Sequence, residues 1–150
     1  MKEIHNEIVQ QIKRAVELTE NGLYDEALKI YNELLNKDIP DVYNNVGNIY
    51  RRQGMLGKAI EMYRRAIQSD PYFSLAYFNL ACALMEMERY SDAVMFFEKA
   101  EKLGLQGFET DVQIALCYIA LGNKRKASER MRDERVKAEV QNYIDGRIDL

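Results

Sequence analysis

The sequence has no tryptophan, one histidine, two cysteines, two prolines and eight glycines among its 150 residues. Each scarcity excludes something. The single histidine, His5, stands close to the start of the chain, where helices fray, and no serine or cysteine pattern pairs with it as a nucleophile and base would. Cys82 and Cys117 lie far apart in apolar helical patterns, outside any CxxC spacing, so two buried free thiols are expected rather than a disulfide or a zinc centre. Few prolines and glycines beside 47% hydrophobic residues exclude a disordered chain. No apolar run approaches the ~20 residues of a membrane span. The opening Met1-Lys2-Glu3-Ile4 lacks the basic and then apolar order of a secretory leader, so a cytoplasmic location is expected.

Charge of one sign is also missing. A net charge of −3 from 21 basic and 24 acidic residues gives no field that calls for a nucleic-acid or anionic-membrane partner. The one basic cluster, Lys124, Arg125, Lys126, Arg130, Arg132 and Arg135, is interleaved with Glu129, Asp133 and Glu134 at helical spacing and reads as a solvated surface. There is no Gly-rich phosphate loop, no HExxH and no calcium-loop spacing. The expectation is a chain without catalytic residues, metal or cofactor.

What the sequence does contain is a repeat. Residues 43 to 71 read YNNVGNIYRRQGMLGKAIEMYRRAIQSDP, in which Tyr43, Val46-Gly47, Tyr50, Gly54, Ala59, Tyr63, Ala66 and Pro71 mark a frame. Thirty-four residues later the frame returns as Tyr77, Leu80-Ala81, Leu84, Tyr90, Ala93, Phe97 and Ala100. A third copy keeps Ile114-Ala115, Tyr118, Gly122 and Ala127, with Asp111, Met131 and Glu134 in the slots of an aromatic, an aromatic and an alanine. An opening copy keeps Ala15, Leu18, Gly22, Tyr24, Ala27 and Tyr31, with Gln11 and Arg14 in apolar slots. Both end copies are polar where inner copies are apolar, as a stack of repeats requires of its ends. Apolar residues at i, i+3, i+4 and i+7 predict helices, and Gly47, Ala81 and Ala115 predict close approach of the two helices in each copy.

This spacing resembles the tetratricopeptide repeat, with tyrosine in the slot where that family usually has tryptophan. The resemblance spans about residues 8 to 137. It implies an all-α fold: a right-handed superhelix of antiparallel helix pairs in one domain, residues 1–150. Four units are expected, at about 8–39, 40–73, 74–107 and 108–137, with a capping segment at about 138–150. After Met131 the stripe Val136, Val140, Tyr143 and Ile144 predicts that cap, either continuing the last hairpin or docking after a bend near Asp133.

The family's way of working implies a module that binds a protein or peptide in a groove lined by first helices. Side chains beside the core stripe are then the contact candidates: Asn44, Asn48, Arg51 and Arg52 in the second unit, Leu75, Phe78, Asn79, Cys82 and Met85 in the third, and Val112, Gln113 and Leu116 in the fourth. Phe78, Cys82 and Met85, at i, i+4 and i+7, would form an apolar strip, which the chain's own carboxy-terminal segment could instead cover. The family's clamp for a terminal carboxylate is not expected, because Asn44, Glu109 and Gln113 occupy its basic positions. Two alternatives are a small chaperone for a secreted or aggregation-prone client and a scaffold that self-assembles into a homo-oligomer.

Overall fold

A computed structural model of the chain describes residues 1–148. The described residues form nine α-helices and no strand, so the fold is all-α. The last two residues of the expected capping segment, 149 and 150, lie outside the described residues. The chain divides into two compact units, residues 1–76 and 77–150, with the boundary inside one helix.

The first unit holds α1 (Lys2–Glu20), α2 (Tyr24–Leu34), a 3₁₀ turn (Leu35–Lys37), α3 (Pro40–Arg52), α4 (Leu56–Ser69) and the first turn of α5 (Ser74–Glu86). Pro40 opens α3 at a position where its missing N–H costs nothing. α1 pairs with α2, and α3 pairs with α4. Ala15, Ala27, Tyr31, Leu34, Val42, Val46, Ile49 and Met62 form the buried core, with Ile8 and Ile12 packed against it. At Gly47 α3 comes close to α4. A Cβ built there would lie 2.6 Å from Cε1 of the fully buried Tyr63 ring, so no larger residue fits without moving it.

The second unit contains the rest of α5, then α6 (Tyr90–Lys102), α7 (Phe108–Ala120), α8 (Lys124–Arg130) and α9 (Glu134–Ile148). Phe78 of α5 meets Phe97 of α6 edge to face at 5.1 Å, and Tyr77 meets Phe96 at 6.4 Å. α7 packs against α6, α8 and α9. The helix after Gly122 is short. It stops at Arg130, and of the two arrangements weighed for the carboxy-terminal segment the bend near Asp133 is the one present. Asp133 Oδ1 accepts the Arg135 amide at 2.9 Å, which starts α9 afresh.

Four hairpin turns share one pair of hydrogen bonds. In the first, Gly22 N–H donates to Thr19 O at 3.0 Å and Leu23 N–H to Leu18 O at 2.9 Å; the turns at Gly54 and Gly122 repeat this. The bonds require a left-handed residue. Where the sequence has no glycine, Glu88 takes φ 61° and makes the same bond to Met85 O, while Arg89 N–H reaches Leu84 O.

Candidate functional site

In the first unit, α1 and α3 bring polar side chains to one shallow recess. Val16, Thr19 and Glu20 come from α1, Tyr31 from α2, and Asn45, Asn48 and Arg52 from α3; the cavity volume is about 60 Å³. The sequence places Asn45, Asn48 and Arg52 at i, i+3 and i+7, which is one helix face. Tyr63 Oη donates to Asn48 Oδ1 at 2.6 Å, which fixes the amide and leaves its NH₂ group as donor. Tyr31 is buried, and that burial pushes its hydroxyl pKa up against the opposing effect of hydrogen bonds with Asn45 and Thr19. Thr19 Oγ1 in turn donates to Ala15 O at 2.8 Å. At the rim, Arg52 and Glu20 face each other at 3.6 Å with both side chains largely in solvent, a pairing worth about 0–1 kcal/mol.

The remaining candidates of this unit divide by burial. Asn44 is only 2% exposed, and Arg51 is half-buried. Leu75 stands exposed on the first turn of α5.

In the second unit the expected apolar strip is largely internal. Phe78 is 7% exposed because its ring closes against Phe97, and Asn79 is equally buried. Cys82, Met85 and Gln113 are half-buried. Of the fourth-unit candidates, Val112 is fully packed, and it and Leu116 lie in one cluster with Val136, Val140 and Ile144 of α9. The chain's own last helix covers them. Cys117 is buried, and burial first, then the nearby Cys82, pushes its thiol up to about 12, so it is inert at neutral pH.

A second, more open concavity of about 560 Å³ lies beside Glu101, Lys102, Gln106, Gly107 and Asp111. Both of its carboxylates are held by Arg130, whose Nη2 reaches Glu101 Oε1 at 3.0 Å and whose Nη1 reaches Asp111 Oδ1 at 3.2 Å. Among the described residues no group of three or more His, Cys, Asp or Glu side chains is arranged to hold a metal ion.

Thr19, Glu20 and Tyr31 were not candidates from sequence. The signal available was the recurrence of a small residue followed by a large one sixteen positions later, as in Ala15 and Tyr31 or Gly47 and Tyr63, which sets each tyrosine hydroxyl beside the asparagines.

Comparison with known proteins agrees with this helix-pair arrangement. Models of the tetratricopeptide repeat match residues 40–73 and 62–95. Residues 40–95 carry the tetratricopeptide repeat. A PPR repeat model also matches residues 18–39, across the turn between α1 and α2. The intraflagellar transport protein 88 homolog of Homo sapiens is 28% identical over 115 residues, which is 71% of this chain and 14% of that protein, so the chain spans only a small part of that relative. Among solved structures, MamA superposes with a TM-score of 0.76 at 18% identity, covering 97% of this chain and 84% of that one. The first tetratricopeptide domain of Spaghetti (RPAP3), solved with an HSP90 peptide, gives a TM-score of 0.72 at 19% identity, covering 77% of this chain and 93% of that one. Identities this low establish a shared tetratricopeptide fold.

Proposed function

We propose that the chain is a protein-interaction module that holds a peptide segment of a partner protein on the α1–α3 face of its first unit. The observation that carries this reading is the Asn48 amide, oriented by Tyr63 at the edge of a recess that also offers Asn45, Thr19 and Val16. A peptide main chain presents carbonyl oxygens at regular intervals, and an amide donor fixed in advance binds one without the entropic cost of ordering a free side chain. Val16, 39% exposed, supplies an apolar contact beside it. Arg52 is held by a weak solvent-exposed pair and can exchange Glu20 for an acidic group of the ligand. The solved relative whose name includes an HSP90 peptide supports a peptide as the class of ligand for this fold.

Within this reading Asn44, Arg51, Leu75, Phe78, Asn79, Cys82, Met85 and Gln113 take different parts. The buried Asn44, Phe78 and Asn79 shape the helix faces, whereas Arg51 and Leu75 in the first unit, and separately Cys82, Met85 and Gln113 in the second, keep surface open to contact. Phe78 is thereby unsuitable as a test of binding, since its loss would open the core.

The test is a peptide-display selection against the full chain, followed by fluorescence anisotropy with the recovered peptide. Asn48→Ala and Arg52→Ala are each expected to weaken binding by about 5- to 10-fold, as the loss of one hydrogen bond or one charge contact does. Unchanged affinity in both variants, with helicity retained, sinks this assignment.

A further inference from the structure

α9 is held to the second unit by apolar side chains. Its contact with α7 consists of the buried Val136 and Val140 and the half-buried Ile144, packed in one cluster with Val112, Ala115, Leu116 and Ile119. Its described side-chain hydrogen bonds and ion pairs stay local: Arg135 binds Asp133, and Gln141 binds Asp145. None reaches α6, α7 or α8. The preceding helix, in contrast, is pinned at its last residue, where Arg130 bridges Glu101 of α6 and Asp111 of α7. The three non-helical residues 131–133 follow at once.

These three residues join a pinned helix to α9, and the first of them, Met131, packs against the same apolar cluster. Among the described residues no polar side-chain contact has to break for α9 to leave while the α7–α8 pair stays tied to α6. The contact to be lost is one narrow stripe of aliphatic side chains, set against the ordering of a 15-residue helix. What is uncovered is an apolar helix face whose natural occupant is already visible.

We infer that the α7 face formed by Val112, Ala115, Leu116 and Ile119 is a second binding surface, which α9 occupies at rest and which a partner's amphipathic helix takes by displacing it. The partner is specified by what α9 presents: a helix with β-branched aliphatic residues at i, i+4 and i+8, as in Val136, Val140 and Ile144. Arg135, Lys137, Gln141 and Asp145 lie on exposed positions of α9, so the polar face of such a ligand is unconstrained. Recognition here needs no asparagine and stands apart from the α1–α3 recess.

The experiment uses the full chain and a fluorescent peptide of residues 134–148. In Val136→Ser/Val140→Ser the resident helix no longer competes, and the peptide is expected to bind at least about tenfold more tightly than to the unaltered chain. A control peptide with serine at all three aliphatic positions should not bind. Failure of the variant to bind while it keeps its helical circular dichroism, or equal binding of the control peptide, overturns the inference. Hydrogen exchange on the unaltered chain gives an independent reading: α9 amides should exchange ahead of those in α6 and α7. Exchange of α9 only together with α6 and α7 overturns it too. Dimerisation of the unaltered chain that the double substitution abolishes would make the occupant a second copy and likewise overturn it.

Discussion

Gly47 connects packing to the proposed site in a single atom. Its absent Cβ leaves room for the Tyr63 ring, whose hydroxyl holds Asn48 at the edge of the recess. An alanine here must push on a ring that has no exposed side on which to yield. Gly47→Ala is therefore expected to cost about 1–3 kcal/mol in urea denaturation, and to weaken peptide binding as well because Asn48 loses its support. Loss of stability with unaltered binding would separate the two roles. Much of this was legible beforehand: a small residue at 47, 81 and 115 marks close helix approach, whatever surrounds it. The hydroxyl-to-amide bond was not, since it depends on how far α4 sits from α3. Glu88 makes the same point from the other side. The missing glycine was visible, and the backbone adopted φ 61° to make the bonds that glycine makes elsewhere.

At the level of elements, periodicity located the inner helices directly, while at the chain's end it left open whether the last hairpin continues or bends near Asp133. The frame continued past Ala127, yet α8 stops at Arg130 because Asp133 begins a new helix and Arg130 is drawn into two carboxylates. Sequence spacing carries no record of a partner 29 residues away. Phe78 shares the i, i+4, i+7 spacing of Cys82 and Met85, but an aromatic partner on α6 turns its ring inward. The Arg130 bridge gives a prediction at this scale. All three side chains are about a quarter to a third exposed, so the bridge is partly screened, and Arg130→Met should cost about 1–2 kcal/mol. Thermal unfolding followed by circular dichroism checks this, and faster hydrogen exchange should appear in α8 before α7.

For the whole molecule, the helix-pair fold follows from a 34-residue recurrence, and its function is argued from what one face of that fold displays. The chain's described helices include none long and apolar enough to cross a membrane. Its polar recess in the first unit and its aliphatic α7 face in the second differ in chemistry, which suits two kinds of ligand: an extended segment whose main chain is recognised, and a helix whose side chains are. The claim at the centre is the first of these. Titrating the ¹⁵N-labelled chain with a selected peptide and following backbone amide shifts tests it most directly. The account predicts that the largest shifts gather along residues 16–20 of α1 and 45–52 of α3; shifts confined to the outer surfaces of α2 and α4, with those residues unmoved, would contradict it.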